Sequence, residues 1–157
     1  MRMPSRPSPG AGPRSRMAAY VVCVREGEIL LARWAGPEGA RWTLPGGGVE
    51  FGEGPYDAAV REAAEETGYR VELERLLGID TIVFDRDGEG THHDVRVVYE
   101  GRVVGGRLRN EVNGSADLAA WVALDRVAGL DRVGLVDIAL DLRRTRPPDG
   151  RLRPAVA

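Results

Sequence analysis

The sequence contains almost no cysteine and no lysine, and each shortage excludes a class of site or partner. A single cysteine, Cys23, in a chain of 157 residues excludes an internal disulfide, as expected for a protein of the reducing cytoplasm. Cys23 lies in an apolar run, which predicts a packed core position. All 22 basic residues are arginine and 24 residues are acidic, so the formal net charge is −2. That balance gives no support for binding a nucleic-acid polymer or an anionic membrane.

Long apolar runs are also missing, and this bears on the ends of the chain. No stretch of 18 apolar residues predicts a membrane span, and the first 16 residues lack the apolar segment of a secretory signal. Residues 1–16 are rich in proline, serine, glycine and arginine, so we expect a disordered tail. Residues 17–146 have the length of one domain, and we expect residues 147–157, which begin with Pro147-Pro148, to form a mobile tail.

The stretch from Gly46 to Tyr69 combines a glycine-rich loop with a predicted helix of about three turns. Gly54 suits the N-cap, Pro55 suits the first helical position, and Gly68 suits the left-handed residue after the last turn. On a helical wheel one stripe is apolar or small and is predicted to pack inward. That stripe consists of Tyr56, Val60, Ala63, Ala64 and Thr67.

Three carboxylates, Glu62, Glu65 and Glu66, share another side of this helix. Like charges at these spacings repel by a few tenths of a kcal/mol, and a divalent cation would reverse the sign. Mg²⁺ takes oxygen ligands and often bridges carboxylates to substrate phosphates. The alternative interpretation is a solvated acidic helix face.

Gly47, five residues, Glu53, seven residues, and then the run from Arg61 to Tyr69 (REAAEETGY) resemble the complete box of the Nudix hydrolases. The resemblance implies an α/β fold, an α/β/α sandwich around a mixed β-sheet. It implies hydrolysis of a diphosphate linkage in a nucleoside diphosphate joined to another group, with Mg²⁺ or Mn²⁺ as cofactor.

The resemblance also implies roles for individual residues. Glu62, Glu65 and Glu66 would hold the metal, helped by the carbonyl of Gly46, and we expect Glu65 and Glu66 to be the main ligands. Arg61, four residues before Glu65, is expected to pair with it. Glu111, outside the box, is a candidate further ligand or base, although an exposed loop glutamate is the competing interpretation. The general base stays open among Glu62, Glu66 and Glu111.

Substrate contacts are predicted at Gly47, Arg33 and Trp42. Arg33 ends a predicted strand where Nudix proteins commonly place a basic phosphate contact, and a surface arginine is the alternative. Trp42 would be a core residue at the sheet edge or a stacking surface for a base, with the core favoured. His92 and His93 are adjacent in a predicted strand, so they point to opposite faces, which argues against both binding one metal. One of them facing the cleft, as a proton-transfer or phosphate contact, is one interpretation, and a position in solvent or in the core is the other.

The rest of the chain predicts a mixed sheet covered on both faces. The expected order is a hairpin around Arg25–Gly27, a loop at 36–39, strands at 70–84 and 91–104, a turn and edge segment at 105–111, a strand at 117–122, a helical turn at 124–130 and a helix at 131–144.

Substrate choice is weakly predicted. Sequence signals of the Nudix proteins that cleave ADP-ribose, NADH or dinucleoside polyphosphates are missing, which leaves a nucleoside triphosphate, an oxidised one included, or a nucleotide sugar. A nucleotide-sensing Nudix domain without catalysis is the alternative. An isoprenoid diphosphate isomerase of this fold needs a cysteine in the cleft, and Cys23 is poorly placed for that. Nudix proteins are often dimers, which extends to this chain only by analogy.

Overall fold

Seven strands, two α-helices and one 3-10 helix lie in residues 12–36, 39–86, 88–112, 114 and 116–153, the residues described by the computed structural model. The strands are β1 (Arg14–Arg25), β2 (Glu28–Gly36), β3 (Gly39–Thr43), β4 (Gly46–Gly48), β5 (Tyr69–Arg86), β6 (Gly90–Gly106) and β7 (Ala116–Ala123). The helices are α1 (Pro55–Thr67), the 3-10 helix (Leu124–Gly129) and α2 (Gly134–Thr145).

The strands form one mixed sheet. Its order is β3-β2-β1-β6-β5, with β4 paired to β1 and β7 paired to β2. β1 and β6 run parallel, and every other pairing named for these strands is antiparallel. The predicted α/β class with a mixed sheet is therefore confirmed.

Alternate side chains of β1 face two different cores, one under each helix. Ala19, Val21 and Cys23 pack with the small residues of α1, whereas Val22 packs with α2. The buried thiol of Cys23 confirms its predicted core position. The α1 core is completed by Leu30, Tyr69, Val71, Leu73 and Val97, and the α2 core by Ile29, Leu31, Leu44, Leu77, Val98, Val127, Leu135, Val136, Ala139 and Leu142.

Helix α1 begins and ends as its sequence predicts, but it presents a different face to the core. Gly54 is the N-cap, and Gly68 closes the helix in the left-handed region at φ +78°. Tyr56, expected to be buried, is 46% exposed. The buried positions are Ala58, Ala59, Ala63, Glu66 and Thr67. The inward face is therefore rotated by about 80° from the predicted stripe, and Glu66 falls inside it.

Among the described residues, parts of both expected tails contact the sheet. β1 begins at Arg14, inside the segment expected to be a tail, because Arg14, Ser15 and Arg16 pair with β6. At the other end, the Ile79 N–H donates a 2.9 Å hydrogen bond to the Gly150 carbonyl, which ties residues of the expected C-terminal tail to β5. Residues 1–11 and 154–157 lie outside the described part of the chain, so the expectation of disorder there stays a prediction.

Two segments expected to be loops, and one expected to be a turn and edge segment, have a different structure. Gly46–Gly48 form strand β4 rather than a loop, and Gly36 pairs directly with Gly39 at the end of the β2-β3 hairpin. Residues 107–111 form no edge strand; they follow β6 without regular structure. Residues 37–38, inside the loop predicted at 36–39, lie outside the described residues, and so do residues 87, 113 and 115. No helix in the described ranges is long and apolar enough to cross a membrane.

Candidate active site

The centre of the candidate site is the contact between strand β4 and helix α1. The backbone N–H of Gly46 donates a 3.2 Å hydrogen bond to a carboxyl oxygen (Oε2) of Glu66. Gly46 has φ +153°, and a Cβ there would lie 2.3 Å from the carbonyl oxygen of Ala19 and 2.4 Å from Cδ1 of Tyr20. Only glycine therefore fits a backbone wedged between β1 and the Glu66 carboxyl.

Gly47 makes room for a second glutamate. A Cβ on Gly47 would lie 2.8 Å from the carboxyl carbon of Glu62 and 2.9 Å from both of its oxygens. The Glu62 carboxyl thus lies directly against the Gly47 backbone. This contact joins the glycine-rich segment to the acidic face of the helix.

Arg61 is bonded to the strand, to the loop before α1 and to the acidic face. Its guanidinium donates to both carboxyl oxygens of Glu53 at 2.8 and 2.9 Å and to the Gly48 carbonyl at 3.1 Å. It also donates to Glu62 at 2.9 Å and to Glu65 at 3.4 Å. The predicted pairing of Arg61 with Glu65 is confirmed, although it is the longest of these bonds.

Helical spacing does not explain the contact between Arg61 and Glu53, because Glu53 precedes the helix. The hydrogen bonds from Arg61 lower the pKa of Glu53 to about 2. The same bonds raise the pKa of Arg61, with the Glu53 contact as the largest cause. Both groups are therefore charged at neutral pH, and their contact holds the loop before α1 against the helix.

Glu66 is the most deeply buried acid of the site, with 6% of its surface exposed. Burial raises its pKa to about 9, and the hydrogen bond from Gly46 offsets this only in part. The charges of Glu62, Glu111 and Glu65 raise it further. Burial also raises the pKa of Glu62, opposed by its bond to Arg61. Glu65 differs, since 49% of its side chain is exposed.

Glu111 lies near enough for its charge to act on both Glu62 and Glu66. Its carboxyl accepts a 3.0 Å hydrogen bond from the Ala116 N–H, and a Cβ on Gly114 would clash with it at 1.8 Å. Glu111 is therefore folded back on its own loop, beside the acidic cluster. The structure supports neither of its two predicted roles directly.

The donor set suits a hard divalent cation, although the ligands are not gathered into a ready cage. Within the described ranges no three acidic, histidine or cysteine side chains already converge on a metal position. Two reasons are visible: Arg61 engages Glu62 and Glu65, and Gly46 engages Glu66. What fits is the chemistry, because the cluster consists of oxygen donors whose charges raise the pKa of Glu66, and such oxygens are the ligands that a hard divalent cation takes.

The predicted substrate contacts outside the box have protein partners. Arg33 donates to both oxygens of Asp117 on β7 at 3.0 and 2.8 Å, a partner that sequence inspection did not identify. Trp42 is partly buried against the α2 core, the favoured interpretation, and the guanidinium of Arg33 lies 5.9 Å from its ring centre. The adjacent His92 and His93 differ in burial, half-buried against exposed, as their opposite faces predict.

Comparison with known proteins agrees with this geometry. The NUDIX domain family model matches residues 13–139. "Putative mutator protein MutT4" of Mycobacterium tuberculosis is 33% identical over 145 residues, covering 88% of this chain and 53% of that protein. "Putative 8-oxo-dGTP diphosphatase" of Bacillus subtilis is 34% identical over 111 residues, covering 69% of this chain and 67% of that protein.

Among solved structures, a MutT NUDIX hydrolase from Burkholderia pseudomallei is 32% identical with a TM-score of 0.68, covering 82% of this chain and 98% of that one. The chain spans about half the length of the mycobacterial relative, so the family is shown over the shared domain. Because the family model covers most of the chain and the acidic helix meets the glycine-rich strand as the box requires, this protein belongs to the NUDIX family.

Proposed function

We propose that this protein hydrolyses a diphosphate linkage in a small nucleotide, with Mg²⁺ or Mn²⁺ as cofactor. The substrate is a nucleoside triphosphate, in its normal or oxidised form, or a nucleotide sugar. The observation that carries the proposal is the Glu66 carboxyl, buried beneath Gly46 with three further carboxylates acting on it. Such an arrangement is unfavourable for a bare protein and favourable around a cation.

Glu65 and Glu66 are proposed as the main ligands, with Glu62 in support. A bound divalent cation supplies charge neutralisation of the diphosphate and a lowered pKa for a bound water. The chain's own residues supply orientation. Arg61 holds Glu62 and Glu65, and the Gly46 N–H fixes one oxygen of Glu66. The Gly46 carbonyl stays a candidate ligand.

Proton removal from the attacking water falls to a carboxylate near the cluster. Glu62 and Glu66 lie in the cluster, and burial raises the pKa of each, so each has to be ionised before it can accept that proton. Glu111 has to leave the Ala116 N–H before it can act. The base is proposed to be one of these three.

The class of nucleotide proposed as substrate is supported by the named relatives and not by the residues of the Nudix box. The Bacillus relative is named for 8-oxo-dGTP, an oxidised nucleoside triphosphate. No observation on this chain favours the isomerase alternative, because Cys23 is 1% exposed and burial raises the pKa of its thiol to about 12. A cytoplasmic location stays a prediction, and so does a homodimer.

The test is turnover of a panel of nucleoside triphosphates, their 8-oxo forms and nucleotide sugars with Mg²⁺ or Mn²⁺. Glu65→Gln and Glu66→Gln each keep the size of the side chain and remove its charge. We expect each to lower metal-dependent turnover by about a hundredfold or more. Glu72→Gln is the matched control, because this exposed strand carboxylate pairs with Arg102 at the surface.

Two results would contradict the proposal. Unchanged turnover in both glutamine variants refutes the ligand assignment. Tight nucleotide binding with no hydrolysis of any compound favours a sensor domain instead.

A further inference from the structure

An exposed apolar surface lies on the second half of β5, on the side of the sheet that carries α1. Val97 of β6 faces the α1 core, and Ile79 of β5 pairs with it, so both side chains point to this side. Every second residue along a strand shares a face of the sheet. We define the patch by its exposed apolar residues, which are Met17, Tyr56, Leu76, Ile79 and Val83.

The patch is continuous across three strands and the start of α1. Tyr56 joins it from the helix, because its ring centre lies 6.0 Å from that of Tyr99 on β6. Read across β1, β6 and β5, the four rows of this face are Val21, Tyr99 and Leu76; Ala19, Val97 and Ile79; Met17, Val95 and Thr81; and Ser15, His93 and Val83. These rows contain no aspartate, glutamate or arginine.

Helix α1 covers only the first half of β5. Val71 and Leu73 are buried in the core beneath it. Further along the strand, Leu76, Ile79 and Val83 are 52%, 51% and 64% exposed. Helix α2 cannot cover them, because it packs on the opposite side of the sheet. Contiguous apolar surface of this kind marks a site of interaction.

The size of the patch matches one half of a dimer interface. The exposed fractions of its five residues amount to about 500 Å² of mostly apolar surface, a large patch for a monomer. A standard interface buries about 800 Å² on each partner, and about 65% of that area is apolar in homodimers. The patch therefore supplies the apolar area that one subunit contributes to a dimer.

The lack of charge in the four rows favours a second copy of this chain as the partner. A two-fold axis brings the same surface of both subunits together, so a charged patch would meet residues of its own sign. A nucleic acid or an anionic membrane would instead require basic residues on this face. We propose that the patch is the interface of a two-fold homodimer.

The subunits meet through the face of β5 and not through its edge. A free edge strand can extend the sheet of a partner through its unpaired N–H and C=O groups. On β5 this edge is interrupted at Ile79, whose N–H already donates a 2.9 Å hydrogen bond to the Gly150 carbonyl. The two subunits therefore pack side chain against side chain, with Ile79 near the middle of the row from Leu76 to Val83.

The test is sedimentation equilibrium of the full chain at protein concentrations from about 1 to 100 μM, without nucleotide or metal. We expect wild type to reach the mass of a dimer within this range. Ile79→Arg brings like charges into the interface and should raise the dissociation constant by about tenfold or more. Ile82→Arg is the matched control: Ile82 is 38% exposed on the same strand, but it pairs with Asp94 and points to the α2 side. It should leave the dissociation constant unchanged.

Val83→Arg is a second interface variant with the same expected effect, and circular dichroism checks the folding of each protein. Wild type that stays monomeric throughout the range overturns the inference, whether or not the patch then binds a different partner. A dimer that survives both Ile79→Arg and Val83→Arg also overturns it, and so does equal weakening by Ile82→Arg. The result is independent of the proposed function, because neither nucleotide nor metal takes part.

Discussion

Three glutamates on one side of α1 meet three different environments. Glu66 is buried beneath Gly46, Glu62 lies against Gly47 with an Arg61 bond, and the Glu65 side chain is about half exposed. The freedom of their carboxyl groups to move therefore differs, although their residue type does not. Glu65 can reorient at little cost, whereas Glu66 is held by the backbone of a neighbouring strand.

The contact of Gly47 with Glu62 gives a prediction at this scale. Gly47→Ala places a methyl group 2.8–2.9 Å from the Glu62 carboxyl, which must move. Because the displaced group is a side chain rather than backbone, we expect the fold to survive and metal-dependent turnover to fall by about tenfold or more. Steady-state kinetics, with circular dichroism as a check of folding, measures both.

Gly48→Ala is the matched comparison, since its new methyl group meets nothing closer than 3.9 Å. We expect its loss of turnover to be clearly smaller than that of Gly47→Ala. Equal losses would mean that the strand as a whole, and not the Glu62 position, limits activity.

The sequence was informative about which residues the candidate site brings together and much less about their partners. Helical spacing placed Glu62, Glu65 and Glu66 on one side of α1, and the resemblance to the Nudix box added the glycines. Neither identified Asp117 as the partner of Arg33, because these residues are 84 positions apart and meet only through the pairing of β2 with β7. Such contacts depend on sheet register, which single-sequence periodicity does not determine.

At the scale of whole elements, the ends of α1 were predictable and its orientation was not. Gly54, Pro55 and Gly68 act locally, through backbone conformation, so their effect is readable from sequence. The buried face is decided by what packs on it. Small residues, Ala58 and Ala59, let the helix approach the sheet closely, and Tyr56 is left outside.

The segment after α2 is held against β5 where the backbones of Gly78 and Gly150 approach each other closely. Gly78 lies at an irregular point in the pairing of β5 with β6, and a Cβ there would come within 2.3 Å of the Gly150 carbonyl oxygen and 2.7 Å of Leu142. We expected a mobile tail from Pro147-Pro148 onward. Instead the chain turns back onto β5, which requires this gap at Gly78.

We therefore expect Gly78→Ala to destabilise the protein. The added methyl group pushes Gly150 away from β5 and crowds the side chain of Leu142. We expect this to lower the free energy of unfolding by about 1–3 kcal/mol. Urea denaturation followed by fluorescence measures it. Gly129→Ala, where nothing lies within 4 Å of the new methyl group, should stay within about 0.5 kcal/mol of wild type. Similar effects of both substitutions would show that the C-terminal segment is not packed on β5 in solution.

For the whole molecule, the sequence predicted the class and the number of layers, but not the pairing that unites them. β1 pairs in parallel with β6 and antiparallel with β2 and β4. The other partner of β6 is β5, which lies at the sheet edge. The strands on either side of β1 are thereby joined through it, and the glycines of β4 are attached to it. Parallel pairing between distant segments leaves no local signal in the sequence.

This architecture couples global stability to the state of one buried acid. The folded-state pKa of Glu66 is about 9, above the ordinary 4.5. Between these values the folded protein keeps a proton that the unfolded chain has released. Stability without divalent metal should therefore fall as pH rises through this window, with a slope of at most about 1.4 kcal/mol per pH unit from this group.

A cation that binds the Glu66 carboxylate competes with that proton and stabilises only the folded state. Urea midpoints at pH 6 and pH 8.5, with and without Mn²⁺, measure the coupling. For wild type we expect the midpoint to fall with pH in the absence of metal, and the gain from Mn²⁺ to be larger at pH 8.5. Glu66→Gln removes the titrating group, so its midpoint should change less with pH and gain less from Mn²⁺. Parallel behaviour of the two proteins at both pH values would show that Glu66 neither holds the proton nor binds the ion.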